Sequence, residues 1–137
     1  MKQRKDDLMK TAVRYYSKLG NTEKIAQAIA EGAGVEARSI VEEPALPEKV
    51  DVLFLGGAPY ANIMAPELKA FAEGLRAETV GKVILFTTSN WSRRTVLALK
   101  KLLREKNIPV EEEYFYAHML NISGRTEAAK EFGRRMA

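Results

Sequence analysis

The stretch Ala12–Gly32, AVRYYSKLGNTEKIAQAIAEG, decides the fold. Its first part is rich in β-branched and aromatic residues and reads as a strand over 11–17. From Thr22 onward, Ile25, Ala26, Ile29 and Ala30 fall at helical spacing. Gly32 and Gly34 stop that helix. Between strand and helix stands Ser17-Lys18-Leu19-Gly20-Asn21-Thr22, unusually rich in hydroxyl and amide groups for a simple turn.

Working outward, strand-like and helix-like segments alternate. VEARSIV (35–41) reads as a weak edge strand and EEPALPE as a loop. VDVLFLGG (50–57) and KVILFTT (82–88) are near-continuous apolar runs, as in strands buried on both faces. Pro66 opens a helix with Leu68, Phe71, Ala72 and Leu75 on one side. Residues 92–106 make another, with Val96, Leu97, Leu99, Leu102 and Leu103. IPVEEEYFYA (108–117) reads as a fifth strand, and 123–137 as a closing helix. This alternation predicts an α/β protein, a parallel sheet with helices on both faces. In such sheets ligands sit beyond the carboxyl ends of the strands, where strand order reverses. The loops 17–22, 57–65 and 88–94 are therefore the expected ligand mouth.

Composition narrows the chemistry. The 137 residues suggest one domain, over 10–137, with residues 1–9 as a frayed extension. The chain has no cysteine and one histidine, His118, which excludes disulfides, thiolate chemistry and a histidine metal cluster. No apolar run reaches the ~18–20 residues of a membrane helix, and the charged start MKQRKDDLMK lacks the apolar stretch of a signal peptide, so a cytoplasmic protein with no membrane partner is expected, and no nucleic-acid partner either. The net charge is +4, with 22 basic and 18 acidic residues; such a balance suits nucleic acid, an anionic membrane or an acidic protein partner, and reads more simply as a solvated charged surface.

The 17–22 loop lies where a helix N-terminus offers unpaired N–H groups and positive dipole. Gly20 allows close backbone approach, Ser17 and Thr22 bring hydroxyls, and Asn21 tolerates left-handed dihedrals. The pattern suits a bound phosphate. It equally describes a capped helix, with Asn21 or Thr22 as N-cap. No Lys-Ser/Thr pair follows a glycine, so it is not a nucleoside-triphosphate loop.

Here the sequence resembles the flavodoxin family. That family's phosphate loop, Ser/Thr-x-x-Gly-Asn-Thr after a strand ending in tyrosines, stands here as YYSKLGNTEKIA. GGAPYANIMAPELKAF (56–71), VILFTTSNW (83–91) and NISGRTEAAKEF (121–132) extend the similarity over most of the chain. The resemblance implies a three-layer αβα sandwich on a five-stranded sheet of order 2-1-3-4-5. It also implies non-covalent FMN. The phosphate would lie on Ser17, Asn21 and Thr22 and on the amides of Lys18, Leu19 and Gly20. The ring would lie between Pro59, Tyr60, Ala61 and Asn62 on one side and Thr87, Thr88, Ser89, Asn90 and Trp91 on the other. Trp91, the only tryptophan, reads either as a ring-stacking residue or as a core anchor. Tyr60 reads either as a stacking group or as packing beneath its loop. Three departures stand out: Leu19 in place of a polar residue, Ala61-Asn62 in place of a glycine, and a basic rather than acidic chain.

The resemblance implies an electron carrier between redox partner proteins, as a monomer or weak dimer, with no catalytic or metal residues of its own. An FMN-dependent NAD(P)H:quinone-type reductase is the alternative, and a flavin-free interaction module of the same fold the third. GAGVEA (32–37) fits a dinucleotide fingerprint but ends a helix, so it reads as a C-cap turn. The acidic run at 111–113 reads as charge protecting an edge strand. His118 reads as a surface or packing residue.

Overall fold

The structure, a computed structural model, describes residues 10–60 and 63–137. The expectations for residues 1–9, Ala61 and Asn62 lie outside the described residues. In chain order the elements are β1 (Thr11–Tyr16), α1 (Asn21–Ala33), β2 (Ala37–Ser39), β3 (Val50–Gly57), β4 (Pro59–Tyr60), β5 (Ile63–Met64), α2 (Pro66–Glu73), β6 (Val80–Ser89), α3 (Arg94–Glu105), β7 (Phe115–His118) and α4 (Thr126–Met136). The main sheet has five parallel strands in the order β2-β1-β3-β6-β7. Counting only its strands, this is the 2-1-3-4-5 order expected from the sequence. β4 and β5 pair separately as an antiparallel hairpin, Pro59 opposite Met64 and Tyr60 opposite Ile63.

Alternation along the central strands divides the core. Val13, Tyr15, Phe54 and Phe86 face α1 and α4, where Ile25, Ile29, Ala129 and Phe132 cover them. Tyr16, Leu53, Leu55 and Leu85 face α2 and α3, under Leu68, Phe71, Leu99 and Leu103. Both faces of β3 and β6 are buried, which is why their sequences read as unbroken apolar runs. The first layer is held close by small residues. A Cβ on Gly32 would collide with the Lys130 backbone, and one on Gly133 with the Ile29 carbonyl.

Two segments differ from the sequence reading. The fifth strand is confined to Phe115–His118, with one isolated bridge upstream between Val83 and Val110. The run 111–113 is not strand. Glu111 pairs with Lys82 at 3.0 Å, Glu112 with Arg104 at 2.6 Å and Lys100 at 3.3 Å, and Glu113 with Arg135 at 2.7 Å. Charge here ties a loop to β6, α3 and α4, while the backbone of 111–113 keeps, among the described residues, only the Glu111 N–H to Val83 carbonyl bond, 2.9 Å, beside that bridge.

The β2–β3 connection has no helix, and the sheet face above β1 carries a buried arginine instead. Arg14 donates to Glu43 Oε1 at 2.9 Å and to its neighbour's carbonyl on Val13 at 3.0 Å. Glu43 also takes Arg38, at 3.4 Å. Burial lowers the Arg14 pKa, Glu43 opposes the shift, and Arg38 adds to it.

Candidate functional site at the carboxyl end of the sheet

β1 ends at Tyr16, and α1 begins at Asn21. Gly20 occupies the N-cap position with φ 94°, a left-handed conformation that a Cβ disfavours. The cap is therefore neither Asn21 nor Thr22, and no side chain covers the first turn. The first helical bond runs from Lys24 N–H to the Gly20 carbonyl, 3.1 Å. The N–H groups of Asn21, Thr22 and Glu23 are thus left without an intrahelical acceptor. Ser17 Oγ accepts the Gly20 N–H at 3.0 Å and closes the loop on itself. The Thr22 hydroxyl is buried and bonded to the Thr88 hydroxyl at 2.8 Å. That bond ties the start of α1 to the end of β6.

The β4–β5 hairpin is pinned to the same loop through Tyr60. Its hydroxyl accepts the Lys18 N–H at 2.9 Å, and Lys18 Nζ lies 5.0 Å from its ring centroid. The Tyr60 ring meets Tyr16 edge-on at 6.1 Å. Tyr60 thus packs beneath its own loop while also bordering the cavity described below. Burial, with the Glu67 carboxylate, raises the Tyr16 hydroxyl pKa.

Beyond β6 the chain turns sharply. Thr87 is fully buried and donates to the Gly57 carbonyl at 2.7 Å, which locks β6 to β3. Ser89 Oγ donates to the Ser92 carbonyl at 2.7 Å. Trp91 is left-handed, φ 67°, and its N–H donates to the Tyr116 hydroxyl at 2.8 Å. Tyr116 in turn donates to the Ser89 carbonyl at 3.0 Å. The exposed indole packs edge-on against His118, ring centroids 4.4 Å apart. His118 Nδ1 accepts the Leu120 N–H at 3.1 Å, so Nε2 carries the hydrogen and donates to Asn90 Oδ1 at 2.9 Å. His118 therefore cross-links the loops after β6 and β7. The sequence had marked it only as surface or packing.

These loops enclose a cavity of about 350 Å³. That is within the ~300–1,000 Å³ common for small-molecule sites. Ser17, Leu19, Asn21, Thr22, Pro59, Tyr60, Thr88, Ser89 and Asn90 border it. Among the expected residues, Lys18, Gly20, Thr87 and Trp91 do not border it; they shape or support the loops that do. Sequence reasoning missed Ala58, Ser92 and Met119, which also line it. Met119 follows the last strand, and the rule that ligands gather at carboxyl ends already pointed to that loop. Among the described residues, no three His, Cys, Asp or Glu gather in a way that could hold a metal ion, and no helix is long and apolar enough to cross a membrane.

The donor set matches FMN in its parts. Uncapped helix amides and a left-handed glycine suit a phosphate. Proline, tyrosine, leucine and methionine side chains suit a flat, partly apolar ring.

No protein-family model matches the sequence, and no curated protein matches it. Solved structures do. A flavodoxin from the domain Archaea superposes with a TM-score of 0.77 at 18% identity, covering 94% of this chain and 96% of that one. Oxidised flavodoxin 2 from Bacillus cereus gives 0.68 at 19%, covering 92% and 99%. The flavodiiron core from Synechocystis sp. PCC6803 gives 0.66 at 21%, covering 93% of this chain but only 36% of that one. This chain therefore spans about a third of the flavodiiron protein and nearly the full length of the two flavodoxins. With strand order, layer arrangement and these superpositions in agreement, the chain has the flavodoxin fold.

Proposed function

We propose that this protein binds FMN non-covalently at the carboxyl end of its sheet and carries electrons between partner proteins. The observation that carries this reading is the junction of an uncapped α1 N-terminus with a cavity at the point where strand order reverses. FMN, when bound, would supply reversible one- and two-electron chemistry. The residues supply the rest. The amides of Asn21 and Thr22 and the Ser17 hydroxyl would hold the phosphate. Pro59, Tyr60 and Met119 would flank the ring and exclude water, and the polar groups of Thr88, Ser89 and Asn90 would meet the ribityl chain or the ring edge.

The superposition on two flavodoxins over nearly the full length of both chains supports a carrier over a reductase. The test is the visible spectrum of the purified protein. Flavin bands, with FMN as the molecule released on denaturation, support the reading. A protein that stays colourless after incubation with FMN and desalting refutes it. Rapid steady-state oxidation of NAD(P)H by a quinone would move the assignment to the reductase.

A further inference from the structure

The cavity mouth is ringed by apolar side chains, each standing clear of the core. Leu19 is 77% exposed, Trp91 74%, Leu120 87% and Ile63 58%, and they come from three loops and the β4–β5 hairpin. They sit round one opening. Leu19 and Met119 border the cavity, Trp91 adjoins Asn90 and Ser92 on its wall, and Ile63 pairs with Tyr60. Scattered exposed leucines are ordinary, but a ring of them round a concave mouth marks an interaction surface.

The charge on that rim has one sign. Loops 17–20, 58–65, 90–93 and 119–125 contain Lys18, Arg93 and Arg125 and no aspartate or glutamate, and Arg94 follows at the start of α3. Away from the mouth, Lys82, Arg104, Lys130 and Arg135 hold glutamates, while Lys24, Lys49, Lys69 and Lys106 stand singly, among the described residues, on helix and loop surfaces. Lys18, Arg93 and Arg94 have no carboxylate partner among the described residues. The carboxylates that follow these loops in sequence, Glu23, Glu67 and Glu127, lie in the first turns of α1, α2 and α4. α1, α2 and α4 each carry a glutamate in their first turn, whereas α3 has none and starts with arginines. Cations oppose the dipole there, so the pair costs folding stability at the mouth.

We infer that this rim docks a small protein whose own face carries aspartate and glutamate around an apolar centre. The inference rests on the electron-carrier reading, since it identifies the class of partner. A second copy of this chain is disfavoured, because it would bring like charges together. Redox encounters of this kind bury less than ~1,200 Å² and depend strongly on salt.

The test uses the full, isotope-labelled chain supplied with FMN, titrated with an acidic plant-type ferredoxin. Amide shifts should map to Leu19, Ile63, Trp91 and Leu120. Affinity should fall about tenfold when salt rises from low to a few hundred millimolar. R93E/R94E should weaken binding by about tenfold or more, R93Q/R94Q less, and K101E, farther along α3, hardly at all. Shifts centred elsewhere, no binding, salt-independent binding, self-association through the same amides, or transfer of the protein to phosphatidylglycerol vesicles in preference to ferredoxin would each overturn the inference. Repeating the titration without FMN separates the two claims. Failure to take up flavin with the shift map intact removes only the cofactor reading. Flavin uptake without the map removes only the docking face.

Discussion

Thr22 and Thr88, 66 positions apart in sequence, share a buried hydrogen bond of 2.8 Å between their hydroxyls. It fastens the helix behind the 17–22 loop to the end of β6, so two walls of the cavity move together. Thr22→Val or Thr88→Val alone leaves the other hydroxyl buried without that partner, at a cost of about 1–3 kcal/mol. The double substitution removes both polar groups and should cost less than the two single losses added together. Urea unfolding of the four proteins in the cycle reads the coupling. Strict additivity would mean that the bond contributes nothing.

Gly20 and Gly133 should fail for different reasons. At Gly20 a Cβ meets nothing within 4 Å, so Gly20→Ala pays only for its φ of 94°, roughly 1–2 kcal/mol. Gly20→Asn should recover part of that loss, because asparagine tolerates this region. At Gly133 a Cβ strikes the Ile29 backbone, so Gly133→Ala must part α1 from α4, and about 1–3 kcal/mol is expected. Asparagine at 133 should be worse than alanine, the reverse of the order at 20. Thermal or urea unfolding distinguishes the two orders.

The unpaired cations at the mouth should also set the redox potential. Reduced flavin is anionic, and positive charge nearby favours it. R93Q/R94Q should therefore lower the two-electron potential of the FMN-loaded protein, by a few tens of millivolts per charge in a solvated setting. K101Q, which alters a Lys101–Glu105 pair away from the mouth, serves as the control. Redox titration at low and high salt gives the answer, and equal potentials in all three proteins would disprove an electrostatic role for the pair.

Acid should loosen the loop before β7 first. Hydrogen bonds from Arg104 and Lys100 hold Glu112 below its ordinary 4.5, and those from Arg135 do the same for Glu113. A carboxylate whose folded pKa is depressed contributes stability that is present above the unfolded value and lost as pH falls through the folded one. The stability–pH curve should therefore drop below the mid-fours. E112Q/E113Q should be less stable at neutral pH and show a shallower acid limb, although these exposed pairs are individually weak. Parallel limbs in the two proteins would rule out this origin.

Much of the fold was legible because burial on both faces leaves a plain mark: VDVLFLGG and KVILFTT have one reading. The fifth strand was overdrawn because a charged run between apolar residues suits a protected edge strand, while the partners of Glu111, Glu112 and Glu113 on β6, α3 and α4 are remote in sequence. The Pro59–Met64 hairpin is too short to carry a period of its own. At the site, the loop residues were readable from motif and topology. Which groups face the cavity was not, because Thr87 turns to the Gly57 carbonyl and Trp91 to His118 through long-range contacts. Nor does sequence distinguish Gly20 as the cap from Asn21 or Thr22, a difference set by one dihedral angle.

The most direct measurement is a calorimetric titration of folded, flavin-free protein with FMN, followed in parallel by the emission of its single tryptophan. The account expects one site per chain, a clear exothermic isotherm, quenching of Trp91 and competition by inorganic phosphate. It also expects weaker binding in Gly20→Ala. Saturating FMN that produces neither heat nor quenching in a cooperatively folded sample would contradict the central claim.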